Sequence, residues 1–177
     1  FRARIEESIA GSRLKRVLYS QCVTRGYRVA RGRGSWLDAL LVPLLRRIVA
    51  RPVLARLGGR LRLVVVGGAA LDPAIAQTFI GLGLPLLQGY GMTEASPVIA
   101  VNRDTDNVPE SVGPPVDGVE IRPSESDELL VHGDNVMQGY WNHPEATRAV
   151  LTEDRWLRTG DLAERAQKKV PPRAVLF

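Results

Sequence analysis

Apolar positions recur every three or four residues through the first third of the chain, then shorten to brief β-branched runs. Residues 1–20 predict an amphipathic helix, with Ile5, Ile9, Val17 and Leu18 set among Arg and Lys. The Arg- and Gly-rich residues 26–34 predict a loop. Ser35 offers an N-cap oxygen to a second helix, in which Leu37, Leu40, Leu41, Leu44, Leu45 and Ile48 recur at helical spacing. Pro43 falls inside that pattern and predicts a kink or a late start, and Pro52 predicts its end. Leu61, Leu63, Val64, Val65 and Val66 predict a short buried parallel strand that stops at Gly67 and Gly68. Asp72 and Pro73 are a capping oxygen and a pre-set first turn, so a helix is expected over 73–80, closed by Gly81 and Gly83. Leu84, Leu86 and Leu87 predict a second strand running into Gly89-Tyr90-Gly91-Met92-Thr93-Glu94. The order is strand, helix, strand, with a loop after each strand. In open α/β sheets those loops are where ligands bind.

Past residue 105 the pattern changes to turns and short strands. Residues 111–115 predict a Gly-Pro turn. Residues 119–121 and 128–131 predict strands joined by a turn at 124–127, giving a hairpin. Residues 144–150 predict a short helix, and Gly160-Asp161 an exposed turn. The expected class is α/β. Residues 1–104 would supply helices around a few parallel strands, residues 105–164 a smaller β-rich part turning back toward Thr93, and residues 165–177 an atypical tail. Standing alone, such a chain would expose apolar strand edges.

Composition changes this picture little, and charge changes it more. The hydrophobic and charged fractions, 45% and 24%, are ordinary for a globular protein. No run approaches the roughly eighteen apolar residues of a membrane span, and residue 1 is Phe within a charged helical pattern, as expected for a start inside a longer protein. The single cysteine, Cys22, cannot form an internal disulfide and fits a reducing compartment. It has no histidine nearby in sequence and reads as a small buried residue. Residues 1–62 hold 15 Lys and Arg against 3 Asp and Glu, whereas residues 63–164 hold 5 against 16. The preferred reading of the basic third is a helical surface facing acidic parts of the same, longer polypeptide. A peripheral membrane contact is the alternative. Nucleic acid is set aside, because the basic residues follow helical patterns without aromatic interleaving or a recognisable module.

The residues with chemical capacity cluster after the two strands. Thr93 could donate its hydroxyl to a phosphate oxygen, and Glu94 offers a hard carboxylate suited to magnesium. The same pair could equally start a helix in a tight loop. Tyr90 could stack on a planar ring or be a core aromatic with its hydroxyl bonded. Gly67, Gly68, Ala69 and Ala70 leave room for a flat base, yet also describe an ordinary strand-to-helix turn. They form neither a dinucleotide fingerprint nor a Walker A loop. Asp161 could accept from a ribose diol or be an ordinary turn aspartate. His132 and His143 lack the spacing of a metal site.

In order along the chain, Gly67-Gly68-Ala69-Ala70-Leu71, Gln88 to Pro97, Asn135 to Asn142 and Trp156 to Leu162 resemble the adenylate-forming (AMP-binding) superfamily. Within it they are most similar to the bacterial long-chain fatty acid–CoA ligases, the acyl-CoA synthetases of lipid metabolism. The resemblance implies part of an adenylation N-terminal domain. It implies ATP, Mg2+ and coenzyme A as cofactor and co-substrates, and a fatty acid activated to an acyl-adenylate in the cytoplasm, with membrane association as the alternative location. It also implies roles for residues. Thr93 would contact the ATP phosphates, and Glu94 would hold the metal. Tyr90 would stack on adenine, and Gly68, Ala69 and Ala70 would border the base. Asp161 would bind both ribose hydroxyls, and Gly91 would lie near the acyl carboxylate. The family's phosphate loop and its lysine-bearing C-terminal domain are not matched by these residues. Lys168 and Lys169 receive no role. The expectation is an internal fragment, inactive alone, whose partners are the missing parts of the same polypeptide. The alternatives are an aryl, medium-chain or peptide-synthetase adenylating domain, and a non-catalytic remnant.

Overall fold

A computed structural model describes residues 11–165 and 174–176. The fold is mixed α/β, with helices and two small sheets. The chain divides into two compact units, residues 1–64 with 72–86 and residues 65–71 with 87–177. Most of the expected tail, and the first ten positions of the expected first helix, lie outside the described residues.

In the first unit, helix α1 covers Arg13–Ala30, capped by Ser12, whose side chain accepts from the Lys15 amide. It runs straight through Gly26, where a loop was expected. Glycine serves close approach there. A Cβ on Gly26 would overlap the carbonyl oxygen of Gly81, and one on Gly81 would overlap that of Val23. Gly81 belongs to helix α4, Pro73–Leu82, which begins on the expected Asp72 cap and ends at Gly83 in left-handed conformation, φ 93°. Gly81 therefore sits inside the helix it was expected to close.

Helix α2, Trp36–Leu45, opens on a capping box between Ser35 and Asp38. It holds Pro43 in its interior, widens into a π turn at Arg46–Ala50 and continues as α3, Arg51–Ala55. Pro52 does not end the helix. It lies in the first turn of α3, where a missing N–H costs little. Of the leucine stripe only Leu45 is buried. Asp38, Val42, Leu45 and Ala50 are buried, while Trp36, Leu40, Leu44 and Ile48 are exposed. Asp38 selects this face. Its carboxylate accepts from Ser35 N and Oγ, 3.0 Å each, and from Arg25 Nη1 at 2.7 Å and Arg28 Nη2 at 3.0 Å. The Ser35 amide first, then Arg25, hold its carboxyl well below the ordinary range. Cys22 is fully buried beside Val23, Leu45, Ala50 and Leu82, and burial pushes its thiol up.

The second unit contains both sheets. The first has the order β1 (Val64–Val66), β2 (Leu86–Gly91), β3 (Val98–Val101). β1 is shorter than expected: Leu61 and Leu63 precede it, and they and Val65 are exposed. β3, not anticipated from the sequence, pairs antiparallel with β2, Gly89 opposite Val101 and Tyr90 opposite Ala100. After it, Asn102 is buried and ties the following loop. Its Nδ2 donates to the carbonyls of Ser111 and Gln88, and its Oδ1 accepts from Val108 N.

The second sheet is an antiparallel meander of β4 (Val119–Pro123), β5 (Glu128–Gly133), β6 (Leu157–Arg165) and β7 (Ala174–Leu176). The expected β4–β5 hairpin is present. Its turn is held by Ser124 Oγ, which accepts from the Ser126 and Glu128 amides. The expected short helix is α5, Pro144–Val150. One core joins the two sheets, with Ala95, Ile99 and Val112 packed with Val119, Leu129, Val131 and Leu157.

The α1–α4 crossing yields a direct prediction. Gly26→Ala should destabilise the first unit by about 1–3 kcal/mol, because backbone rather than a movable side chain blocks the new methyl. Denaturant titration of the helical circular dichroism checks this; an unchanged midpoint would mean the crossing tolerates a wider spacing.

Candidate functional site

Two backbone irregularities present the candidate residues of the second unit. The first is the end of β2. Gly91 comes so close to Pro97 that a Cβ would overlap the Pro97 carbonyl oxygen. The chain therefore reverses immediately, through a 3-10 turn at Thr93–Ala95 and Ser96 in left-handed conformation. Thr93 is exposed at this turn, Glu94 is half-buried and Ala95 is buried. Gly67 lies behind β2, its Cβ position 3.4 Å from the Gly89 carbonyl oxygen, and Gly68, in left-handed conformation at φ 81°, has open space around it. Gly68, Ala69 and Ala70 are exposed.

The second irregularity is a bulge in β6. Leu130 pairs with Arg158, yet Glu128 pairs with Leu162, so extra residues loop out around Gly160. Gly160-Asp161, expected as an exposed turn, is this bulge inside a strand. Gly160 adopts φ 74°, and its amide donates to Glu128 Oε1 at 3.0 Å. Thr159 Oγ1 donates to the Leu129 carbonyl at 2.9 Å and accepts from Asp161 N at 3.1 Å. The bulge thus has its own polar scaffold and carries Asp161 at its apex.

Tyr90 joins the two irregularities. Its hydroxyl donates to Asp161 Oδ2 at 2.5 Å, across 71 residues of sequence. Burial first, then the bond to Asp161, push the phenol well above its ordinary value. Tyr90 is therefore half-buried with its hydroxyl partnered, while Asp161 remains exposed.

A third segment, between β5 and α5, grips the Thr93 turn. Asn135 Nδ2 donates to the carbonyls of Ala95 and Val98, 3.0 Å each, and Met137 N donates to the Glu94 carbonyl at 2.8 Å. Tyr140 Oη donates to Glu94 Oε1 at 2.7 Å. That bond first, then burial, raise the Tyr140 phenol. In the sequence, Asn135 and Tyr140 stand out only as part of a stretch of family resemblance. No local signal marks them, since their partners lie about forty residues earlier. The structure thus pairs Tyr90 with Asp161 and Tyr140 with Glu94 in two separate hydrogen bonds, and leaves Thr93 exposed.

The phenol shifts give a readout of this arrangement. Asp161→Asn should bring Tyr90 ionisation down toward the ordinary tyrosine value but leave it above, because burial, the larger cause, is untouched. Ultraviolet difference titration of variant against unmodified protein measures this. An identical titration would show that the Tyr90–Asp161 bond is not formed in solution.

Residues 37–141 match the AMP-binding enzyme family. A long-chain fatty-acid–CoA ligase of Mycobacterium tuberculosis is 40% identical over 116 residues, 66% of this chain and 19% of its own. A feruloyl-CoA synthase of Amycolatopsis is 39% identical over 116 residues, 58% of this chain and 23% of its own. Among solved structures, the amide bond synthetase McbA of Marinactinospora thermotolerans superposes with a TM-score of 0.60 at 32% identity, over 75% of this chain and 29% of that one. The chain spans about a fifth of the length of the curated relatives it matches. The glycine-flanked turn and the segment gripping it both lie within the matched residues 37–141, and the chain belongs to the AMP-binding enzyme family.

Proposed function

We propose that the native protein carrying this sequence activates a long-chain fatty acid with ATP and passes the acyl group to coenzyme A. In the first step a carboxylate oxygen bonds to the α-phosphorus and the bond to the β-phosphate breaks, leaving acyl-adenylate and pyrophosphate. In the second, the coenzyme A sulfur bonds to the acyl carbon and AMP leaves. The observation that carries this reading is the pair of tyrosine–carboxylate hydrogen bonds, Tyr90 to Asp161 and Tyr140 to Glu94, in a chain 40% identical over 116 residues to a long-chain ligase.

The residues are suited to the roles assigned. Tyr90, its hydroxyl tethered, offers a ring face to adenine, with Gly68, Ala69 and Ala70 leaving the base room. Asp161 gives one oxygen to Tyr90, and a carboxylate has lone pairs enough to accept two ribose hydroxyls as well. Thr93 is exposed, so its hydroxyl is available to a phosphate oxygen. The donor set also fits magnesium. Among the described residues no three His, Cys, Asp or Glu side chains gather, so an ion here would take Glu94 together with substrate oxygens, the arrangement magnesium favours with nucleotides. Bound magnesium would draw negative charge from the phosphates. The chain's own contribution would be orientation, with the hydrogen-bonded turn and bulge holding the two ends of the nucleotide. The acyl carboxylate would lie near Gly91.

An aryl acid is the second reading, favoured by the 39% identity to a feruloyl-CoA synthase. Calorimetry of the native protein with fatty acids of graded length and with benzoate-like acids separates the two; binding of the aromatic acids alone would remove the first reading.

The two carboxylates should act separably. Asp161→Ala should weaken ATP and AMP alike, by about tenfold to a hundredfold for lost charge-assisted hydrogen bonds. Unmodified protein should bind 2′,3′-dideoxy-ATP poorly, and the variant should barely distinguish it from ATP. Retained discrimination would show that Asp161 is not the ribose acceptor. Glu94→Ala should instead impair magnesium-dependent adenylation more than binding of adenosine; an unchanged magnesium dependence would end that assignment.

A further inference from the structure

Tyr140 lies outside every role assigned above, yet it makes the side-chain contact that holds Glu94. Its hydroxyl approaches Glu94 Oε1 at 2.7 Å. Its own position is fixed by contacts on both sides. The Tyr140 amide donates to Thr147 Oγ1 at 2.9 Å, and the His143 amide donates back to the Tyr140 carbonyl. Gly139 adopts φ 149° so close to Thr147 that a Cβ would press on that side chain, with Thr147 Cγ2 only 2.8 Å away. Thr147 in turn donates from Oγ1 to the His143 carbonyl. On the other side, Arg155 reaches the carbonyls of Met137 and Gln138. Tyr140 is thus presented by a segment braced against helix α5 and against Arg155 in the turn before β6, and Met137 N ties the backbone of that segment to the Glu94 carbonyl. Both the main chain and the carboxylate of Glu94 are held by one short stretch.

We propose that Tyr140 is a positioning residue for Glu94, fixing its carboxylate so that one oxygen carries the phenol hydrogen bond and the other faces the metal. This rests on the reading of Glu94 as the metal-holding carboxylate. A glutamate at a half-exposed turn has three side-chain torsions to order, and a donor on Oε1 settles them before the ion arrives. It also leaves one-oxygen coordination, the geometry magnesium tolerates well when its other positions are water and phosphate. Partners that orient a ligating carboxylate typically matter by about tenfold or more in metal affinity. Trp141, 87% exposed next to Tyr140, makes no comparable contact and serves as a neighbouring control.

The test uses the native protein that carries this sequence. Tyr140→Phe removes one hydroxyl and keeps the ring. The magnesium concentration giving half-maximal ATP–pyrophosphate exchange should rise about tenfold, with the KM for the acid unchanged, whereas Trp141→Phe should leave it as it was. In a Glu94→Ala background Tyr140→Phe should add nothing, because its route to the metal has gone. A second readout needs no Tyr140 variant and no turnover. With ATP present, manganese in place of magnesium should broaden the NMR signal of the labelled Tyr140 ring, and Glu94→Gln should abolish that broadening. Three results decide between the two ideas. If Glu94→Ala leaves the magnesium midpoint unchanged, the functional reading of Glu94 fails. If Glu94→Ala raises it and Tyr140→Phe does not, or if the two add fully, the positioning role is overturned while that reading stands. If Tyr140→Phe does not fold, absence of manganese broadening at Tyr140, with Glu94→Ala still raising the midpoint, overturns it.

Discussion

The arrangement of the second unit depends on the grip of residues 135–140 on the turn that follows β2. That turn is short and irregular: a strand ends, a 3-10 turn follows and a non-glycine residue, Ser96, sits in left-handed conformation. Its own backbone supplies two bonds, from Ala95 N to the Met92 carbonyl and from Ser96 N to the Thr93 carbonyl. Asn135 supplies two donors to the carbonyls at Ala95 and Val98, and Met137 a third to Glu94. Each such bond contributes on the order of 1 kcal/mol net, and leaving the carbonyls unpaired would cost more than that. The backbone of this turn is therefore satisfied in good part by a distant segment, in addition to its own two bonds.

The same logic governs the bulge in β6. Extra residues in a strand lose ladder hydrogen bonds, and here side chains replace them: Glu128 takes the Gly160 amide, and Thr159 bridges the Leu129 carbonyl and the Asp161 amide. The gain is direction. A regular strand would alternate Asp161 onto one face of the sheet, whereas the bulge lifts it to meet the Tyr90 hydroxyl. Tyr90 is at once a β2 residue, opposite Ala100, and the link to β6, so the two sheets share a polar contact as well as a core.

Much of this was legible wherever the signal is local. Asp72-Pro73 announced α4, alternation with a turn announced the β4–β5 hairpin, and Pro144 opened α5. What misled were residues whose meaning lies in a partner far along the chain. Gly26 read as a loop because glycine disfavours helix, yet Gly81 requires it there. The leucines of α2 promised a buried stripe, but Arg25, Arg28 and Ser35 draw Asp38 inward and turn Leu40 and Leu44 outward. Pro52 read as a stop and proved to be a start. Gly160-Asp161 read as a turn because a bulge and a turn place the same demands on glycine. Of the site, Thr93, Glu94 and Tyr90 were visible as a glycine-flanked polar cluster, while Tyr140 carried no signal beyond family resemblance.

A common pattern connects these cases. The side chains with chemical capacity are each attached where the backbone departs from regular geometry, and each departure is stabilised by a polar group from another element. Such an arrangement separates two requirements that would conflict in a regular strand. Ladder hydrogen bonding and core packing set the frame through Val131, Leu157 and Ile99, all fully buried. The irregular segments then aim Glu94 and Asp161 outward, each with one oxygen already engaged by a tyrosine hydroxyl. A carboxylate with one oxygen engaged keeps acceptor capacity and loses rotational freedom, so an incoming partner meets a charge that is ordered but not neutralised. Two tyrosines on two different segments perform the same task for two carboxylates. That parallel accounts for the raised phenols and for the order of an exposed site in the same physical terms.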